Sequence, residues 1–379
     1  MNVYFDNAAT TPIRAEVVDE IRNCMLETYG NPSSTHSFGR SAKAKLENAR
    51  KIIASYLNAS SKEIIFTSGG TESDNMLIRC AVKDLGVRTI ISSKLEHHAV
   101  LHTLDELEKS GIKIKYVDTN INGQINYSDL ENKLNENDSK KLVTLMYINN
   151  EIGNILDLER VGAVCKQYQA FFHTDAVQGV AHYNIDVKKC NIDFLSAAAH
   201  KFHGPKGVGF SYVNNNCGIN PFIFGGSQER GLRAGTEALP NIIGMEKAMT
   251  ISYNNINQEK EYILSLKSYF IESIKKVFPN IHFNGYSSNL TQSTYTLVNV
   301  SLPIIKEKAS LLDFQLDLKG IACSKGSACQ SGSNKGSHVL EQLQSNSINE
   351  WPSLRFSFSK FNTIEEIDYV MKVLKEFIE

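Results

Sequence analysis

Apolar residues recur along the chain in two rhythms. Between 37 and 57, Ala42, Leu46, Ala49, Ile53 and Tyr56 fall at helical spacing, which predicts an amphipathic helix. Short runs follow that are apolar almost throughout: Ile64-Ile65-Phe66, Thr89-Ile90-Ile91, residues 142–146, Ala170-Phe171-Phe172 and residues 192–195. Helix-like stretches around 72–83, 98–109 and 157–169 separate most of them. Strands that are apolar on both faces and alternate with helices predict a mainly parallel sheet between helices. Residues 16–254 are expected to form this large α/β domain. A mostly helical stretch at 241–278 leads on to strand-like 295–301 and 354–358 and a helix near 307–317. A last helix is opened by Thr363 and Glu366 as a capping box. These elements predict a smaller α+β domain made of 1–15 and 255–379.

A chain of 379 residues exceeds what one core usually holds, in keeping with two domains. Its net charge of -1 gives no electrostatic reason to expect DNA or RNA as a partner. The N-terminus lacks the basic-then-apolar order of a signal peptide, and no run approaches the roughly 18 apolar residues of a membrane span. A cytoplasmic protein without a membrane partner is expected. The seven cysteines are scattered and contain no C-x-x-C pair, so neither a disulfide framework nor a metal site is expected. The segment 325–337 holds three glycines and four serines with almost nothing apolar, and reads as a mobile surface loop.

Three short segments carry chemistry. Ser68-Gly69-Gly70-Thr71-Glu72 follows a strand and opens a helix. Glycines let the backbone approach an anion, and the helix N-terminus offers unpaired N–H groups. The segment suits a phosphate, and equally a plain strand-to-helix turn. Ala199-His200-Lys201-Phe202 follows the strand at 192–196. A lysine just past a buried strand can be desolvated and form a Schiff base, or it can sit solvated in a turn. His173-Thr174-Asp175-Ala176-Val177-Gln178 ends another apolar strand. An acid there points into the crevice of an open α/β sheet and suits a protonated ring nitrogen, although it also suits a helix cap. In this order, a phosphate cup, a Schiff-base lysine and a pyridinium partner converge on pyridoxal 5'-phosphate (PLP).

The chain also resembles the cysteine desulfurases, in the class V aminotransferase-like branch of fold type I PLP-dependent enzymes. The likeness runs from Tyr4-Phe5-Asp6-Asn7-Ala8-Ala9-Thr10-Thr11-Pro12 to Arg355-Phe356-Ser357. It includes Gly30-Asn31-Pro32-Ser33-Ser34, Glu96-His97-His98-Ala99-Val100, Asn149-Asn150-Glu151-Ile152-Gly153 and Arg233-Ala234-Gly235-Thr236-Glu237. The resemblance implies that Lys201 carries PLP, Asp175 binds its ring nitrogen, Gln178 its ring hydroxyl, and His97 stacks on its face. Gly70, Thr71 and His200 would hold the phosphate. Thr236 would reach the phosphate of a neighbouring subunit, which implies a homodimer. Arg355 would clamp the substrate carboxylate bidentately, with Asn150 beside it and the ring.

By the same resemblance, Lys201 would act as base and Cys329 would take the sulfur of L-cysteine as a persulfide, leaving L-alanine. The sulfur would pass to an acceptor protein, either an iron–sulfur scaffold or a carrier for tRNA or cofactor thiolation. The chain stops at Glu379, where relatives that dock such a scaffold often run longer, so the acceptor stays open. Cys323, after Ile321-Ala322, reads as structural. Rival readings are a selenocysteine lyase, an aminotransferase and a non-catalytic PLP-binding scaffold of a sulfur-carrier complex. The chain departs from the family at Ala198, where a phosphate-binding serine is usual, and weaker PLP retention is expected.

Overall fold

The computed structural model describes residues 1–136, 139–304, 312–325, 337–343 and 351–377. In chain order the first half runs β1 (Val3–Tyr4), α1 (Ala15–Glu27), α2 (Ser37–Tyr56), β2 (Ile64–Thr67), α3 (Gly70–Leu85), β3 (Thr89–Ser92), α4 (His98–Lys109), β4 (Lys113–Tyr116), α5 (Tyr127–Asn135), β5 (Lys141–Thr144), α6 (Leu158–Gln167) and β6 (Phe171–Asp175). The second half continues with β7 (Phe194–Ala198), β8 (Gly209–Val213), α7 (Leu239–Asn254), α8 (Ile256–Val277), β9 (His282–Phe283), β10 (Leu297–Ser301), β11 (Ile321–Ala322) and β12 (Ser353–Ser357). Helices Leu312–Leu318, His338–Leu343 and Ile364–Lys375 complete it.

A seven-stranded sheet in the order β2-β8-β7-β6-β5-β3-β4 forms the centre. β8 pairs antiparallel with both β2 and β7, and every other pairing is parallel, so β8 alone runs against the rest. The apolar runs follow from burial on both faces. Ile64, Phe66, Ile91, Val143 and Leu195 join one core with residues of α1, α2, α6 and α7. Their neighbours Ile65, Ile90, Leu142 and Phe194 join a second core with residues of α3 and α4. The pleat thus splits each run between two helical layers. The structure bears out the α/β class.

The stretch read as one helix at 241–278 is two. Asn255, with its side-chain Nδ2 donating to the Ile251 carbonyl at 2.8 Å, closes α7 before α8 begins. β9, β10 and β12 form an antiparallel sheet, and β1 pairs parallel with β11. Val3 and Phe5 share a separate core with α8, β10, β12 and the last helix, whose Thr363–Glu366 capping box is formed. The chain's first residues thus lie beside its last ones, and this brings the segment after β1 to the carboxyl edge of the central sheet.

Candidate active site

The site is built where strands end. β6 closes on Asp175, β7 runs into a 3-10 turn, Ala199–Lys201, and the segment after β3 ends at His97, the N-cap of α4. Residues 6–10 lie across these ends. The Lys201 ammonium donates to the Ala8 carbonyl at 2.7 Å and the Ala9 carbonyl at 2.9 Å. Gln178 Nε2 donates to the same Ala8 carbonyl at 2.9 Å. Two carbonyls of one short segment therefore gather Lys201 and Gln178.

Asp175 is buried, and its Oδ1 accepts the Val177 N–H at 2.9 Å. Burial, and next the nearby Asp74 charge, push its carboxyl up to about 7, against opposing pulls that include Lys201. Asp74 is raised to about 7 as well, by burial. Glu96 is driven well above the usual carboxylate range by burial, although its Oε1 accepts the Met146 N–H. His173 lies among them. Its Nδ1 meets the Thr144 hydroxyl at 2.7 Å and its Nε2 meets the Ser196 hydroxyl at 3.2 Å. Burial lowers its pKa to about 4, so the imidazole is neutral and its 3.5 Å approach to Asp74 is not an ion pair.

His97 accepts the Ala99 N–H on Nδ1 at 3.1 Å, which leaves its ring proton on Nε2. Burial and then the charge of Lys201 lower its pKa to about 4, making it a neutral, flat ring close to that lysine. His200 is likewise held neutral, at about 4, by burial and then by Lys201. Its Nδ1 is buried without a hydrogen bond among the described residues.

The glycine turn stands at the head of α3. A side chain on Gly70 would come within 2.7 Å of Val177 Cγ2 and 3.9 Å of Ala198 Cβ, so the turn packs directly on the ends of β6 and β7. Gly69, with φ 152°, takes a conformation that L side chains rarely adopt. Glu72 locks the turn: Oε2 accepts the Ser68 N–H at 2.8 Å, and both carboxylate oxygens accept bonds from Arg233. Thr71 is exposed beside it. Thr236 lines a cavity of about 140 Å³ with Ser68, Gly207 and Arg233 of its own chain.

Arg355, on β12, is buried and donates from Nη1 to the Asn150 carbonyl at 2.8 Å. From Nη2 it donates to Asp6 Oδ1 at 2.9 Å, which ties it to the segment that holds Lys201. Lys201, Asp175, Gln178, His97, His200, Gly70, Asn150 and Arg355 are thus gathered around residues 6–9 and the ends of β6 and β7. Cys329 lies outside the described residues. The half-buried Cys323 has its thiol pushed up to about 12 by burial.

Sequence reasoning missed the carbonyls of Ala8 and Ala9, because a backbone acceptor has no side-chain signature. It also missed Asp74 and the Glu96 carboxyl. Acids inside apolar helical or strand-flanking stretches were the available signal. The donor set suits PLP. A neutral, orphaned imidazole and a glycine turn at a helix N-terminus suit an anion, and a buried carboxyl that titrates near neutrality suits a protonated ring nitrogen.

The class V aminotransferase family model matches residues 3–370. The cysteine desulfurase IscS of Dictyoglomus turgidum is 41% identical over all of this chain and 94% of its own length. The putative cysteine desulfurase IscS 1 of Bacillus subtilis is 39% identical, over 98% of its length. Among solved structures, a NifS-like protein superposes with a TM-score of 0.90 at 35% identity, covering all of this chain and 99% of that one. SspA in complex with cysteine superposes with a TM-score of 0.83 at 31% identity, covering 96% of this chain and all of that one. The chain therefore belongs to the class V aminotransferase family and, within it, to the cysteine desulfurases.

Proposed function

We propose that this enzyme uses PLP to move the sulfur of L-cysteine onto Cys329, releasing L-alanine. The observation that best supports this is the meeting of Lys201, the buried Asp175 and the neutral His97 ring at the strand ends on which the glycine turn packs. In this reading Gly70, Thr71 and His200 hold the phosphate, and Thr236 completes that of a neighbouring subunit in a homodimer. Gln178 binds the ring hydroxyl and His97 lies on the ring face.

When bound, PLP supplies an electron sink for negative charge at the substrate's Cα. Asp175 keeps a proton at the ring nitrogen. Lys201 Nζ, held by the Ala8 and Ala9 carbonyls, would carry the cofactor and would serve as the base that takes the Cα proton. Arg355 and Asn150 receive the substrate's carboxylate. The Cys329 thiolate attacks the substrate's sulfur: an S–S bond forms, the Cβ–S bond breaks with its electrons on the carbon side, a proton adds at Cβ, and Lys201 returns to Cα the proton it took, so that alanine leaves. Its part rests on the Gly326-Ser327-Ala328-Cys329 motif. Cys323, held as a thiol by burial, is unsuited to this step. The persulfide then passes to an acceptor protein, for iron–sulfur assembly or for tRNA or cofactor thiolation, in the cytoplasm. The separate apolar core around α8, β10 and β12 supports treating 1–15 with 255–379 as a small domain beside 16–254.

The test is alanine release from L-cysteine with a reducing thiol, alongside visible spectra. Lys201→Ala should lose both activity and the bound-cofactor absorption band. Cys329→Ala should stay coloured and inactive. Alanine release by Cys329→Ala at the wild-type rate would remove the persulfide route.

A further inference from the structure

We propose that Asp6 is a positioning residue for the substrate, the resting counter-ion of Arg355 that an incoming carboxylate must displace. This rests on the reading of Arg355 as the carboxylate clamp. Arg355 is 1% exposed, and both of its terminal nitrogens donate hydrogen bonds. Nη2 donates to Asp6 Oδ1 at 2.9 Å and to Ser324 Oγ at 3.1 Å. Nη1 donates to the Asn150 carbonyl at 2.8 Å, and Nε is buried without a partner among the described residues. The Ser324 hydroxyl donates to the same Asp6 Oδ1 at 2.6 Å, which closes a triangle.

A guanidinium meets a carboxylate bidentately along one of two edges, Nε–Nη2 or Nη1–Nη2. Both edges use Nη2, which already donates to Asp6 and Ser324. The orphaned Nε marks Nε–Nη2 as the edge left for a ligand. Two parallel bonds to a substrate carboxylate form there only if Nη2 is released. Asp6 is the group able to leave, since its side chain is 20% exposed while the arginine's is sealed. Its backbone stays anchored, because the Asp6 carbonyl accepts the Ala9 and Thr10 N–H groups. Binding is therefore an exchange of one carboxylate for another. A ligand that lacks a carboxylate has nothing to put in Asp6's place, so the exchange selects amino acids over simple amines.

Asp6→Asn keeps a neutral acceptor for Nη2 and removes the competing charge. In the holoenzyme, calorimetric titration with the product L-alanine should then show about fivefold tighter binding, the gap between a charge-assisted and a neutral hydrogen bond. Ethylamine binding should not change. In turnover, the effect should fall on KM for L-cysteine rather than on kcat. Ser324→Ala, which removes one of the two Nη2 acceptors and keeps the charge, should tighten L-alanine by less. L-alanine affinity unaltered or weakened in a normally melting Asp6→Asn protein would overturn the proposal, as would equal tightening by Ser324→Ala. Arg355→Gln separates the two levels of the argument. Loss of L-alanine affinity there, without tightening in Asp6→Asn, sinks only the role of Asp6. Unchanged affinity in Arg355→Gln sinks the clamp itself.

Discussion

Near β2, Arg50 and Glu229 are both buried and fully answered. Arg50 donates to the two Glu229 oxygens at 2.6 and 2.8 Å and to the Ile64 carbonyl at 2.8 Å. Glu229 also accepts the Phe66 N–H at 2.8 Å. Around the end of β6, Asp74, Glu96 and Asp175 are as deeply buried, yet they are not answered in this way. Asp74 Oδ1 and Glu96 Oε2 accept no hydrogen bond among the described residues, and the histidine among them is neutral. Burial raises all three carboxyls, whereas the Glu229 carboxylate has a guanidinium against it. The difference separates two uses of buried charge. The first pair pins the segment at 229–237 to the central sheet. The second cluster keeps a spare capacity for a proton, which suits a group brought from outside.

The sharpest way to break the comparison is to cut the saturated pair. Glu229→Gln leaves the buried Arg50 guanidinium with only the half-exposed Glu47, 3.2 Å from Nε, as an anion, and should cost about 3 kcal/mol of stability in urea unfolding. A loss within the error of the melt would mean that the pair is no more structural than the cluster. Asp175→Asn is the matching cut on the other side. It should leave folding intact and lower kcat for alanine release about 10²–10³-fold, the scale of removing one electrostatic partner at a reacting centre. A comparable fall in melting temperature would place Asp175 in the architectural class instead.

Asp74 sharpens the contrast through pH. Its folded pKa, about 7, lies above the ordinary 3.8, so the folded chain holds this proton more tightly than the unfolded one. Its contribution to stability is full below about pH 4 and is lost as pH rises towards 7. An amide has no such proton to lose. In cofactor-free protein, Asp74→Asn should match wild type near pH 4 and exceed it by about 4 kcal/mol at pH 8. A gain that is the same at both pH values would show that packing, not ionisation, sets the difference.

These contrasts were only partly legible in the sequence. The strands β2, β3, β5, β6 and β7 could be read because both their faces are buried, which leaves unbroken apolar runs. β8 could not, since Phe210 and Tyr212 alternate with Ser211 behind glycines, and its direction is set by pairing with two strands distant in sequence. β4, with its Lys-Ile-Lys-Tyr pattern at the sheet edge, was lost for a related reason. At the site, Asp175, His200 and Lys201 stood out because polar chemistry directly follows an apolar run. Their environment did not stand out. That the Asp6–Ala9 segment crosses to meet Lys201 and Arg355 depends on the first residues packing against the last, a contact spanning nearly the whole chain.

Ala198 gives the smallest effect, and it tests whether the receptor side of the comparison is complete. The residue is 1% exposed, and its Cβ faces the point from which a side chain on Gly70 would start, at the head of α3. Ser196, two residues earlier on the same face, is not a substitute donor, because its hydroxyl is engaged with His173 Nε2 at 3.2 Å. A hydroxyl added at 198 would offer one further neutral hydrogen bond to an anion at the turn. Ala198→Ser should therefore slow PLP dissociation about fivefold, as expected of one such bond worth about 1 kcal/mol. Equal dissociation rates would mean that Gly70, Thr71 and His200 already satisfy the anion, and that the departure from the family at this position costs the enzyme nothing in cofactor retention.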